Sequence, residues 1–369
     1  MSADAPLTQS RSKIPCRQKA RAARGLIAMC FAVGFSGCTP AAQQAETNPA
    51  ATANSSSAER PAVVATSSLL CDLTRQIAQE TIDLTCLMRP DQDPHAYKAT
   101  PSDRQAIETA DLVLYGGYSY EPELIRLVQA TQTPASKVAV YEAAVPNPLM
   151  AEPHDHEEGE AHAEADHDHE QGEVQAQAGE AQAPDPHVWH DATNGVKITE
   201  VVQDQLTQLM PDRANEFEQN TATLTAELLQ INDWIKAQVT TVPDSARQIV
   251  TPHNGFQYFA KAYGMTIRGA LDGLSSEEKP SPARLAELVD TVKESGVKTI
   301  FSDTTTNPNL IQSVARSAEV QVAEQPLFIE GSGGEGTAAP TYQAMLVENT
   351  CTVVNALGGQ CDKSALPDR

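Results

Sequence analysis

The chain has 369 residues, 40% of them hydrophobic, and sets 26 Lys+Arg against 49 Asp+Glu for a formal charge of −23. That length suffices for two ordinary lobes with substantial cores. The acidity excludes a nucleic-acid binder, which needs a basic face for phosphate, and an acidic field attracts cations instead.

Residues 1–37 run against this average. Six basic residues (Arg11, Lys13, Arg17, Lys19, Arg21, Arg24) and one acid (Asp4) accompany a short apolar run over 26–35. A charged start, an apolar stretch and small residues before a cysteine have the form of a secretory signal. The run is too short to span a bilayer, which takes roughly 20 apolar residues. Phe35-Ser36-Gly37-Cys38 resembles the lipobox of bacterial lipoproteins, with Phe35 in place of the usual Leu. It implies acylation of Cys38 and a lipid anchor; an ordinary cleaved signal is the alternative. Residues 38–60 have no apolar periodicity and read as a disordered tether, spanning about 25 Å.

From residue 61 short β-rich runs alternate with amphipathic segments. Strands are expected at 63–67, 82–88, 112–116 and 138–142, with helices at 70–80 and 102–110. A second set of strands is expected at 248–252, 266–270, 299–302 and 320–323, with a helix at 282–295. Thr100-Pro101 and Ser281-Pro282 read as an N-cap followed by proline at the first helical position. Such alternation indicates parallel sheets with right-handed crossovers. Between the sets, 196–210 and 213–239 carry apolar residues at helical spacing. The expected organisation is an N-terminal α/β lobe at 61–195, a helical linker at 196–243, a C-terminal α/β lobe at 244–361 and a tail at 362–369.

Within the first lobe, residues 150–186 hold twelve Asp+Glu, no Lys or Arg, and five of the nine histidines: His154, His156, His162, His167 and His169. So polar a stretch reads as a mobile loop, and its histidine density points to loose capture of divalent metal. A solvated acidic linker is the plainer reading. With the leader removed and Cys38 set aside for lipid, Cys71, Cys86, Cys351 and Cys361 remain. An even number in an exported chain suggests disulfides. The local pairs Cys71–Cys86 and Cys351–Cys361 are preferred among three connectivities, with buried free thiols as the alternative.

Three further histidines lie at strand ends or loop ends, in Asp93-Pro94-His95, Asp185-Pro186-His187 and Thr251-Pro252-His253. Neutral imidazole is a common zinc ligand, and three converging imidazoles leave one tetrahedral position to fill. Singly, each is more ordinarily a surface or hydrogen-bonded residue. Tyr97, Trp189, Phe256 and Tyr258 read as core or as cleft walls.

With DPHAYKATPSD (93–103), the acidic His-rich insertion, DPHVW (185–189), TPHNGFQYFAKAYG (251–264) and the stretch 273–282, the chain resembles the ZnuA-type zinc-binding lipoproteins. These are metal-specific (cluster A-I) substrate-binding proteins of ABC importers, and the resemblance covers about 61–360. It implies two (β/α)4 lobes with parallel sheets, joined by one long helix, around a metal site in the interlobe cleft. It assigns metal binding to His95, His187 and His253. In manganese-binding relatives a carboxylate typically stands at the position of His253, so an imidazole there favours zinc. Glu330 matches a position where relatives often carry Asp and is expected as the fourth ligand, with water or Asp303 as rivals. His190 replaces an apolar residue and is expected at the periphery.

The resemblance implies capture of Zn(II) as transported ligand, outside the cytoplasmic membrane, for delivery to an ABC permease by a monomer. Metal binding should release protons and weaken below about pH 6, where ordinary imidazoles charge. No HExxH, Gly-x-Ser-x-Gly or phosphate-cradling loop is present, so no enzyme is expected. A manganese-binding importer component, an adhesin lipoprotein with structural metal and a secreted zinc hydrolase are the competing readings. The charge also divides. Without its leader the chain sets 20 basic residues against 48 acidic, and the His-rich stretch alone supplies −12.

Overall fold

In a computed structural model, residues 60–150, 183–272 and 281–366 are described. The leader, Cys38, the tether up to 59, the five loop histidines and residues 273–280 lie outside them.

The first half of the fold runs β1 (Ala62–Ala65), α1 (Ser68–Ala78), β2 (Asp83–Cys86), α2 (Pro101–Thr109), β3 (Leu112–Tyr115), α3 (Pro122–Ala130), β4 (Ser136–Ala139) and α4 (Val140–Ala144). Its four strands are all parallel, in the order β2-β1-β3-β4. Ser67 caps α1 by accepting from Leu70 N, and Thr100 and Asp103 form a reciprocal capping box on α2. Two helices follow, α5 (Ala192–Leu209) and α6 (Ala214–Val239), separated by the turn Pro211–Arg213. The second half then repeats the pattern with β5 (Gln248–His253), α7 (Gln257–Tyr263), β6 (Thr266–Asp272), α8 (Pro282–Ser295), β7 (Thr299–Ile300), α9 (Pro308–Ala318), β8 (Gln321–Val322) and α10 (Tyr342–Ala356). β5 pairs with β6 and β7 with β8, both parallel, and Phe301 N donates to Val250 O at 2.9 Å to join the pairs. The order β6-β5-β7-β8 therefore repeats the topology of the first sheet.

The expected two (β/α)4 lobes are present, with three differences. The strand expected at 138–142 stops at Ala139. Tyr141, fully buried in α4, instead meets Ser67 Oγ with its hydroxyl at 3.0 Å. β7 and β8 are only two residues long each. Past them the chains stay in touch through single bonds such as Leu327 N to Ser302 O at 2.8 Å. Of the stretch 150–186 expected as a mobile loop, Asp185 and Pro186 are buried. Met150 and Pro184 close its base as an antiparallel bridge.

The long helix is α6, whose 26 residues span about 39 Å. Phe217, Leu224, Leu228, Ile231 and Ile235 form its buried stripe at helical spacing. It packs against α1 of the first lobe and α10 of the second. One apolar core accordingly runs through both lobes, from Leu69 and Leu73 through Leu228 and Ile235 to Met345 and Val353. Each such side chain contributes about 1.5–3 kcal/mol by its burial, so prising the lobes apart is costly. A polar clasp adds to this: Asp72 on α1 accepts from Tyr342 N on α10 at 2.7 Å. Disulfides join Cys71 to Cys86 and Cys351 to Cys361, with Cα–Cα distances of 5.6 and 5.1 Å.

Candidate metal centre

Four residues predicted from the sequence converge between the lobes. His95 lies in the loop after β2, His253 ends β5, and Glu330 lies in the loop after β8. His187 opens the turn Val188–His190 that leads into α5. His253 stands at a strand end, and His95 and Glu330 lie in the loops that follow β2 and β8, on the side where open parallel sheets place their ligands. One ligand atom from each residue lies within 4.8 Å of the others, and all four residues are buried. His95 Nε2 is 3.3 Å from His187 Nε2 and 3.5 Å from Glu330 Oε2. Glu330 Oε1 lies 3.5 Å from His187 Nε2 and 2.6 Å from His253 Nε2. Despite this closeness, both Glu330 oxygens and both His253 nitrogens lack a well-aligned hydrogen bond. Buried polar atoms in that condition are costly unless a cation satisfies them.

Local chemistry explains the convergence. In each Asp-Pro-His segment the aspartate side chain turns back on the histidine. Asp93 Oδ1 accepts from His95 N at 3.0 Å and Asp185 Oδ1 from His187 N at 2.9 Å. Asp185 Oδ1 also lies 2.8 Å from His187 Nδ1. A carboxylate only accepts, so Nδ1 carries its proton and Nε2 is turned toward the centre. Asp303 Oδ2 stands 3.6 Å from His253 Nδ1, behind the ring, while Nε2 faces Glu330. Gly255 is required for close approach: a Cβ there would sit 2.5 Å from Ile329 Cγ2 and 2.7 Å from His253 Nε2.

The loop carrying Glu330 is held from the opposite lobe. Tyr120 donates its hydroxyl to Glu330 O at 2.5 Å. Trp189 Nε1 and His190 Nε2 both donate to Ile329 O, at 3.3 and 2.9 Å. Tyr342 in turn donates to Trp189 O at 2.6 Å. His190 is thus not peripheral as expected, but fully buried beside the loop that carries Glu330. Trp189 and Phe256 are fully buried core, and Tyr97 and Tyr258 are nearly so. Tyr120, which the sequence reading missed, sets its ring edge against His95 with centroids 5.5 Å apart.

The electrostatics are those of opposed charges in a dry site. Burial alone pushes the Glu330 carboxyl up, but His95, His253 and His187 outweigh it and hold it well below the usual range. Burial pulls His187 down, yet Glu330 and Asp185 together push it up to about 10. His253 is raised in the same way, mainly by Glu330 against burial. Burial raises Asp303 to about 6, with His253 opposing. His190 goes the other way, to about 3, because burial and then His187 disfavour its charged form. The surroundings thus favour the charged form of His187 and the neutral form of His190.

A family model described as zinc-uptake complex component A, periplasmic (ZnuA), matches residues 63–356. The manganese-binding lipoprotein MntA of Halalkalibacterium halodurans is 31% identical over 306 residues, 83% of this chain and 91% of that one. The zinc-binding protein TroA of Treponema pallidum is 28% identical over 303 residues, 81% of this chain and 89% of that one. A solved structure of TroA matches with a TM-score of 0.69 at 27% identity, covering 81% of this chain and 99% of that one. Fe(III)-bound YtgA from Chlamydia trachomatis shares the fold, with a TM-score of 0.66 at 19% identity over 82% of this chain and 99% of that one. With a matching model over most of its length and a donor cluster between two like lobes, the chain belongs to the ZnuA family, the metal-binding substrate-binding proteins of ABC importers, and is not an enzyme.

Proposed function

We propose that the protein captures Zn(II) outside the cytoplasmic membrane through His95, His187, His253 and Glu330 and passes it to an ABC permease. The observation that carries this reading is the set of three imidazole nitrogens and one carboxylate, buried together within 4.8 Å. Zinc bonds of about 2.0–2.1 Å in a tetrahedron put neighbouring donors about 3.3 Å apart. Three of the pairs here stand at 3.3–3.5 Å. Imidazole-rich sets suit zinc, and carboxylate-rich sets suit harder ions such as manganese. The lobes are 61–195 and 244–361, and Cys38 anchors the mature chain through lipid so that a monomer works beside its permease. The acidic segment with His154, His156, His162, His167 and His169 collects the ion loosely before the buried site takes it.

Manganese is the second reading, favoured by the names of relatives at 31% and 28% identity that are called manganese-binding. Titration of the protein with each metal separates the two. Zinc should bind the more tightly, and loss of His95, His187 and His253 together should abolish the tight site. Tight manganese binding with weak zinc binding overturns the zinc assignment.

A further inference from the structure

The turn Val188–His190 begins immediately after His187, so one short segment supplies a metal-site histidine and then two donors aimed elsewhere. Both reach the Ile329 carbonyl, which lies 139 residues from His190 in sequence and directly precedes Glu330. A carbonyl oxygen has two lone pairs, and here Trp189 and His190 fill both. The bond from His190 is the shorter, 2.9 Å against 3.3 Å. Its tautomer is settled by the acceptor, since a carbonyl can only receive, so Nε2 carries the hydrogen. Nδ1 is then a buried lone pair without a partner among the described residues. The ring is wedged between Phe256 and Trp189, at centroid distances of 4.5 and 5.7 Å. An apolar side chain would fill that space without burying an unsatisfied nitrogen, so packing alone does not account for a histidine here.

We propose that His190 is a positioning residue for Glu330: by clamping the Ile329 carbonyl with Trp189 it fixes the peptide that carries the fourth donor, and so narrows the site toward a compact four-coordinate cation. The proposal rests on the zinc reading above. Loosening the clamp lets the Glu330 carboxylate shift outward, which admits larger or more highly coordinated ions and weakens zinc. A positioning effect of this kind shows as a changed ratio of affinities, which a general loss of stability does not produce.

The test compares the parent, His190→Leu and His190→Gln by competition titration with zinc and with manganese, alongside the melting temperature of each metal-free protein. His190→Leu keeps the apolar packing and removes the donor. It should weaken zinc by roughly tenfold, the low end of what losing a direct outer partner of a metal ligand costs, because His190 acts through the backbone. Manganese should weaken less, so the zinc-to-manganese ratio falls. His190→Gln offers an N–H to the same carbonyl and should restore most of the ratio. An unchanged ratio in His190→Leu overturns the proposal. So does an equal loss in both variants that follows their melting temperatures, since that is the mark of a merely structural role. If His190→Leu does not fold, Trp189→Phe removes the other donor and must lower the ratio; no change there overturns it equally. Zinc binding in the parent that is indifferent to His253→Ala overturns the zinc reading and this inference with it. Dependence on His253 without dependence on His190 overturns this inference alone.

Discussion

Zinc affinity should climb steeply with pH across the neutral and mildly alkaline range. A metal takes only the unprotonated imidazole, so a proton held at His187 competes with it. An ordinary imidazole, with a pKa of about 6.5, is almost fully unprotonated at pH 8 and offers no competition. Here Glu330 and Asp185 overcome burial and lift His187 to about 10. At pH 7.5 the metal must then displace a proton held about 2.5 pH units below its release point, a penalty of roughly 300-fold at tenfold per unit. The dissociation constant should fall about tenfold for each pH unit from 7 to 9. This dependence adds, at higher pH, to the weakening below about pH 6 that free imidazole suggests. Calorimetric titration at pH 8, in buffers of different ionisation enthalpy, should count about one proton or more released per zinc. Glu330→Gln removes the largest influence raising His187, so proton release at pH 8 should drop even as binding weakens. A flat dissociation constant from pH 7 to 9 with no proton release would refute the reasoning.

The metal-free protein should itself lose stability on the alkaline side. A folded pKa for His187 raised above its unfolded value gives a contribution fully present below about pH 6.5 and lost as the pH rises through about 10, visible as a falling melting temperature. Glu121 is buried with Oε1 accepting from Thr66 Oγ1 and Gly116 N, both at 2.7 Å, while burial raises its carboxyl to about 7. Its folded pKa also lies above the unfolded one, so ionising it between about pH 4.5 and 7 costs stability, on the order of 3 kcal/mol. Glu121→Gln should flatten that part of the stability profile in denaturant titrations, and an unchanged profile would clear Glu121. The disulfides close loops of 15 and 10 residues, so opening either one should cost up to about 3 kcal/mol in chemical unfolding. Deleting 151–182 should remove weak, multiple metal binding and leave the tight site, because the Met150–Pro184 bridge holds the loop base closed. A deletion carried on to 186 should damage the tight site too, since it removes Asp185 from behind His187.

Much of the centre was legible because its histidines sit in short, stiff, strongly local signals. Asp-Pro-His occurs twice, and in both places the aspartate folds back on the histidine backbone. Thr-Pro-His-Asn-Gly ends a strand, and its glycine stands where a Cβ would collide with the site. Glu330 carries no such local signature and was reached only through the family resemblance. The supporting contacts were not legible, because they join residues far apart in sequence: Tyr120 to Glu330 spans 210 positions and His190 to Ile329 spans 139. Asp185 was visible in its motif but its bond to Nδ1 was not, since a sequence does not state which ring atom faces the metal. Of the fold, the alternating pattern and the long helix were readable from apolar spacing. The two-residue strands β7 and β8 were overdrawn, because ladder length depends on pairing partners rather than on β-propensity alone.

The two lobes share one core and also meet through the loop that carries Glu330. That loop, in one lobe, is tied through its backbone carbonyls to Tyr120, Trp189 and His190 of the other. These contacts position the Glu330 loop, which reduces the ordering that metal binding has to supply. Release then requires disturbing that interlobe contact, which is the step a docked permease would have to drive.

The most direct measurement is a competition titration of the mature protein with zinc and manganese at equal free concentration and pH 7.5, read by metal content after gel filtration. The account predicts one zinc per chain at the buried site, lost on replacing His253 with Ala. One tightly held manganese in its place, or zinc retained by that variant, would contradict it.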